Sequence, residues 1–216
     1  MVRHTITFAA LLSSLALLPV NSAAAQNADF PMDSQWAVKL MLGMGGDVEL
    51  DPDGTAVTVE DDLEVTVGGG VHFLYPVIKW FAIGGQVALQ SWSPDSADDS
   101  NLLLDIVALP AGLLPLTDNV QLTLSVPIGI SFDFIDDDFV GNNLVSAEVG
   151  TGVGFTIGIM LGAQFALSDS FGLLAELGFV GHGWEHEVEA AAGPVVTSYD
   201  VEVNTSQFAL NLGVYF

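Results

Sequence analysis

The sequence predicts an all-β protein: an eight-stranded antiparallel transmembrane up-and-down β-barrel. Three observations carry the prediction. Long runs of side chains alternate with period two between a bulky apolar face and a face of small or polar residues, as strands between two different surroundings do. The links between those runs alternate strictly between long and short. Charge is rare in the runs and dense in the long links: 27 Asp and Glu stand against 3 Lys and Arg, for a formal net charge of −24, yet 14% of residues are charged and 50% hydrophobic.

In chain order, the first element is a targeting segment. Arg3 and His4 precede an apolar run from Phe8 to Val20, and Ala23-Ala24-Ala25 precedes Gln26. A short basic start, an apolar core and an Ala-x-Ala site make a secretory signal peptide, so residues 1–25 are expected to be removed and 26–216 to form the barrel domain. The apolar run is shorter than the ~20 residues of a spanning helix, which argues against a membrane anchor. Cleavage leaves Lys39 and Lys79 as the strong cations of the mature chain. A surface this acidic is no nucleic-acid binder. With no Cys, disulfides, iron–sulfur clusters and thiolate metal sites are excluded.

Eight strand candidates follow. In 36–44, Trp36, Val38, Leu40, Leu42 and Met44 oppose Ala37, Lys39, Met41 and Gly43. In 65–75, Val67, Val71, Phe73 and Tyr75 oppose Thr66, Gly68, Gly70 and His72, and in 81–89, Phe81, Ile83, Val87 and Leu89 oppose Ala82, Gly84, Gln86 and Ala88. Residues 102–114 alternate less cleanly, and Pro110 predicts a bulge or strand end there. Residues 120–134 alternate without interruption, with Gln121, Thr123, Ser125, Pro127, Ser131 and Asp133 on the polar face. The run 149–167 is charge-free and contains Gly154-x-x-x-Gly158-x-x-x-Gly162, a helix-dimer pattern in membranes; its alternation and its neighbours favour a strand. Residues 171–179 and 207–216 complete the set.

The polar faces hold Gly, Ala, Ser, Thr, Gln and Asn with few charges, which suits a crowded lumen rather than bulk water. The apolar faces suit lipid, where strands can span only as a closed barrel of about 9–11 residues per strand. Long links at 47–62, 92–101, 135–148 and 188–200 and short ones at 76–80, 117–119 and 168–170 match external loops and periplasmic turns. The windows 47–64, 95–99, 133–148 and 185–202 hold 21 of the 27 acids. Two aromatic bands are expected at the interfaces: Trp36, Tyr75, Trp80, Phe81, Phe165, Phe171, Tyr215 and Phe216 at the inner edge, and Trp92, Phe132, Phe134, Trp184 and Tyr199 at the outer.

The chain ends Gln207-Phe-Ala-Leu-Asn-Leu-Gly-Val-Tyr-Phe216. This resembles the C-terminal assembly signal of Gram-negative outer-membrane proteins, carried here by Phe208, Leu210, Leu212, Val214 and Phe216. With the signal peptide and eight strands, the chain resembles small barrels of the outer-membrane protein A-like or opacity-protein type. The resemblance implies location in the cell outer membrane, insertion by the outer-membrane assembly machinery, contact with outer-membrane lipids and lipopolysaccharide, and a role in adhesion or envelope integrity. On this reading the chain ends at its barrel, without the peptidoglycan-binding domain of some relatives.

Candidate sites are few, and no cofactor is expected. Lys39, Glu176 and Asp105 should face the lumen as an ion network, reaching across the barrel because the first and seventh strands are not neighbours. His182 and His186, with Glu185, Glu187 and Glu189, cluster in sequence, but two His four residues apart along a strand lie about 13 Å apart, too far for one ion; a polar strand tip is the simpler reading. Asp51, Asp53, Asp136, Asp137 and Asp138 are candidates for divalent cations, which carboxylate clusters bind, against the simpler reading of a solvated acidic surface. A lumen of eight strands is filled by side chains, so a plugged barrel that is not an enzyme is expected. Two alternatives remain: a lipid-modifying barrel enzyme built on His182, Glu185 and one of Ser91, Ser93 or Ser131, and a soluble secreted barrel binding a small apolar ligand.

Overall fold

The computed structural model describes residues 34–52, 58–95, 100–135, 141–142, 145–192 and 195–216. The signal-peptide residues lie outside the described residues, as do Asp53, Asp136, Asp137 and Asp138. Thirteen strand segments are described: β1 (Gln35–Pro52), β2 (Val59–Asp62), β3 (Thr66–Ile78), β4 (Phe81–Trp92), β5 (Asn101–Ala108), β6 (Ala111–Thr117), β7 (Val120–Ser125), β8 (Ile128–Phe134), β9 (Gly141–Asn142), β10 (Val145–Val149), β11 (Gly152–Ser168), β12 (Phe171–Ala192) and β13 (Val195–Tyr215). All pairings are antiparallel. They close a ring of eight staves: β1, β3, β4, β5 with β6, β7 with β8, β11, β12 and β13, which returns to β1. At the seam Trp36 N–H donates to the Phe216 carbonyl (2.9 Å) and Phe216 N–H to the Trp36 carbonyl (2.8 Å).

Two staves are interrupted. The break at Leu109–Pro110 is where a bulge or end was expected. The break at Val126–Pro127 was not, because the alternation of 120–134 hides it; proline carries no N–H for the ladder. The wall stays continuous across the pair of breaks, with Val126 N–H donating to Pro110 O (3.1 Å) and Gly158 N–H to Pro127 O (2.9 Å).

Three staves outrun their predicted ends. β1 continues to Pro52, β12 to Ala192, and β13 begins at Val195, in stretches that the sequence reading assigned to loops. The alternation persists there, but its outward partner becomes acidic instead of apolar: Trp184, His186 and Val188 are buried while Glu185, Glu187 and Glu189 are exposed. β2 joins β1, and β9 and β10 join β12, so a sheet in the order β9-β10-β12-β13-β1-β2 rises beyond the apolar belt. In β1 the change of surroundings coincides with a bulge between Met44 and Gly46. Gly45 (φ 58°) and Gly46 (φ 126°) take the positive φ that the extra residue requires. The bulge exchanges the parity of the strand: Trp36, Val38 and Leu40 face out below it, and Val48 is buried above it.

The outside of the ring is a belt of large apolar side chains; Val38, Leu40, Ile83, Ile130, Phe155 and Leu212 are each about half exposed. Such a surface is stable against hydrocarbon, not water. The inner aromatic band stands as predicted for Trp36, Tyr75, Trp80, Phe81, Phe165, Phe171 and Phe216, all exposed. Tyr215, Trp92 and Trp184 do not belong to the bands: they point inward and are 4%, 5% and 3% exposed. Their parity decides this, since each shares a face with the polar residues of its own strand.

Candidate functional site in the lumen

The lumen is filled in three layers. At the outer end Val48, Leu63, Trp92, Leu103, Trp184 and Val203 form an apolar cluster, flanked by Leu50 and Val201. At the inner end Leu74, Ala82, Leu109, Ala111 and Leu113 form a second, and Ala37, Leu174 and Tyr215 a third. Between and beside them lies a polar belt in which Lys39, His72, Gln86, Gln90, Asp105, Gln121, Gln164, Glu176, Gln207 and Asn211 are all buried, with His72 and Gln164 at the level of the inner clusters, opposite Ala37 and Leu174. Leu103 and Leu113, which blur the alternation of 102–114, are parts of the apolar closures.

Side chains pair across this belt. Lys39 Nζ lies 2.9 Å from Glu176 Oε2, and Asn211 Nδ2 donates to the same oxygen at 3.1 Å. The pair does not cross the barrel. Lys39 lies opposite Gly213, and Glu176 opposite Asn211, both on β13. β13 is the one stave between β1 and β12, and the pair bridges it on the lumen side. Gly213 leaves the room: a Cβ there would come within 2.5 Å of the Val38 carbonyl oxygen and 3.1 Å of Lys39 Cγ. Gln121 Nε2 donates to Gln164 Oε1 at 3.0 Å, and Thr66 Oγ1 to Gln207 Oε1 at 2.9 Å.

Asp105 stands apart from the lysine. Its Oδ2 accepts from Gln90 Nε2 and faces His182 Nε2, each at 3.3 Å. The other ring nitrogen of His182 lies 3.3 Å from Thr205 Oγ1. Higher in the lumen, Asp133 Oδ1 accepts from Trp92 Nε1 at 2.8 Å, and its Oδ2 lies 3.2 Å from His186 Nε2, at ion-pair distance but off the hydrogen-bond line. His186 Nδ1 is 3.0 Å from the Gly150 carbonyl, an acceptor only, so Nδ1 carries a hydrogen. Trp184 stacks between Trp92 (5.7 Å, 14°) and His182 (5.1 Å, 9°), and its Nε1 donates to Ser131 Oγ at 2.9 Å.

His182 and His186 are therefore not a polar strand tip. Each is buried in the lumen against an aspartate. Their even numbers, which match the inward parity of Glu176, are the signal that would have found these pairs. Glu185 faces the opposite side of β12. Ser93 donates to Glu64 and Ser131 accepts from Trp184, while the nitrogens of His182 meet Asp105 and Thr205 and Nδ1 of His186 meets the Gly150 carbonyl. Among the described residues no group of three or more His, Asp or Glu side chains comes together as a metal centre. Asp51 lies in β1 opposite Glu202.

No protein-family model matches the chain, and no curated protein matches it. Solved structures do. OprG from Pseudomonas aeruginosa superimposes with a TM-score of 0.61 at 13% identity, covering 88% of this chain and 98% of that one. The outer membrane protease OmpT from Escherichia coli gives 0.50 at 8% identity, covering 89% and 99%. The attachment invasion locus protein Ail of Yersinia pestis gives 0.39 at 13% identity, covering 86% and 100%. At these identities the likeness shows the fold alone: the chain has the architecture of a small Gram-negative outer-membrane β-barrel.

Proposed function

We propose that this outer-membrane barrel has a structural or surface-contact role, with a closed lumen that serves neither general diffusion nor catalysis. One observation carries the reading. The polar belt is closed on its outer side by an apolar cluster built on the Trp92–Trp184 stack, tied to Asp133 and Ser131. A solute would have to displace tryptophans held both by packing and by hydrogen bonds. The acidic outward faces of β1, β12 and β13 beyond the belt suit the external side, where divalent cations bridge carboxylates to lipopolysaccharide phosphates. On the same reading the short turns and both termini are periplasmic. Phe216, whose backbone closes the seam to Trp36, ends the signal read by the assembly machinery; its removal should reduce membrane insertion far more than removal of 95–99.

Planar-bilayer recording of the pure protein tests the role. We expect no large steady conductance, together with faster migration of unboiled than boiled protein in detergent gels, the mark of a closed barrel. A stable porin-sized conductance from the wild-type chain would reject the closed lumen.

A further inference from the structure

β11 is the stave between β8 and β12. Near its outer end the His186 ring of β12 reaches over it to Asp133 of β8, with 3.2 Å from Nε2 to Oδ2. Gly152 lies directly opposite Asp133 and leaves the room, since a Cβ there would overlap the imidazole. Lys39 reaches Glu176 over Gly213 in the same way.

The two straps differ in one respect. An ammonium donates at every hydrogen, whereas an imidazole donates from both nitrogens only when it is charged. His186 Nδ1 faces the Gly150 carbonyl at 3.0 Å and so carries a hydrogen. A neutral ring then turns the Nε2 lone pair towards Asp133 Oδ2, an acceptor against an acceptor. Neither atom has a hydrogen-bond partner among the described residues, and the two side chains are 1% and 0% exposed. Buried acceptors left in this state cost free energy. A second proton, shared between Nε2 and Oδ2, turns the contact into an attraction. His182 has no such need: neutral, it donates Nε2–H to Asp105 and accepts the Thr205 hydroxyl at Nδ1.

Asp133 also holds the outer closure. Its Oδ1 accepts from Trp92 Nε1 at 2.8 Å, and Trp92 stacks on Trp184, two residues before His186. No other charge around the ring takes the place of the proton. β11 presents Gly152, β13 presents Val201 and β4 presents Trp92. Asp105 of β5 is engaged with Gln90 and His182, and Asp61 of β2 lies three staves away. Glu64, Glu185, Glu187 and Glu202 are exposed.

We propose that the His186–Asp133 pair is a proton-operated latch on the outer closure. With the shared proton it clamps β12 to β8 and keeps the Trp92–Trp184 stack in place; without it the two acceptors repel and the closure loosens. The latch rests on the closed lumen proposed above and adds what controls it. Imidazole changes charge between about pH 5 and 8, so the latch holds on the acid side of that range and slackens on the alkaline side.

The test uses the full barrel refolded in detergent, carrying Trp36→Phe and Trp80→Phe. Both of those side chains are exposed, and their replacement leaves Trp92 and Trp184 as the fluorescent reporters. Acrylamide should quench them weakly at about pH 5 and several-fold more strongly at about pH 8. Asp133→Asn in the same background keeps an oxygen for Trp92 and offers an N–H to the His186 lone pair, so quenching should be weak at both pH values. Shielding at both pH values with Asp133 in place overturns the latch and leaves the closed lumen standing. Strong quenching at both overturns the closure and the latch together. These two outcomes need no variant at Asp133, so they decide the matter even if that variant fails to fold. A pH response that survives in Asp133→Asn belongs to another group and overturns the latch as well.

Discussion

Lys39 is one of three Lys and Arg residues in the whole sequence, and its ammonium is buried against Glu176 at 2.9 Å. Breaking a buried pair by removing one partner leaves the other charge uncompensated and costs about 3–5 kcal/mol. Lys39→Ala should therefore lower the midpoint of unfolding clearly, read as the temperature at which the fast-migrating gel form is lost. Lys79 lies between β3 and β4 with its Nζ 5.6 Å from the Trp80 ring centroid. Exposed contacts of this kind contribute about 0.5–1 kcal/mol, so Lys79→Ala should move the midpoint little. Equal effects of the two substitutions would sink the buried-pair account. Asp105 shows how little a charge inventory says about pairing: with one lysine expected in the lumen, a shared network was the natural expectation, and the structure gives Asp105 to His182 instead.

β1 shows how one bulge joins two environments in a single strand. Below it, outward positions meet lipid; above it, outward positions are acidic. Gly46 carries the constraint: its φ is 126° and an added Cβ would collide with the Ser206 carbonyl. Gly45 has φ 58° and open space at its Cβ, a left-handed conformation that Asn also adopts. We expect Gly46→Ala to destabilise by about 1–3 kcal/mol, the usual cost of a disfavoured backbone conformation, and Gly45→Asn to be tolerated. Thermal loss of the folded gel band distinguishes them, and a harmless Gly46→Ala would mean that the bulge does not hold the register.

The molecule as a whole concentrates its negative charge on the sheet that rises beyond the lipid belt. There like charges lie directly opposite one another: Asp47 and Asp62, Glu49 and Glu60, Asp51 and Glu202, Glu185 and Glu202, Glu187 and Asp200. Directly opposed like charges destabilise a sheet, and salt screens them over a Debye length of about 10 Å at 0.1 M. Raising choline chloride from low to moderate concentration should protect this extension from proteolysis while leaving the lipid-embedded staves, already resistant, unchanged. Protection that does not depend on salt would show that the opposed acids do not limit the extension.

Sequence alone determined the architecture, because lipid imposes its pattern residue by residue. Outward positions of every spanning strand must be apolar and inward ones small or polar, so strand number, inward parity and the link rhythm are all written locally. Inward placement of Lys39, Gln86, Gln164 and Asn211 follows from parity alone. Tertiary structure decided the rest. Where acid replaces apolar on the outward face, the strand continues but its lipid signal stops, so β1, β12 and β13 are longer than they read. Trp92 and Trp184 look like interfacial girdle residues, yet their parity turns them into the lumen. Which carboxylate meets which partner depends on the stagger of one stave against the next. That stagger brings Lys39 to Glu176 across β13, and His182 and His186 to aspartates on β5 and β8, because side chains that meet inside a barrel are set by the closure of the sheet and not by their spacing along the chain.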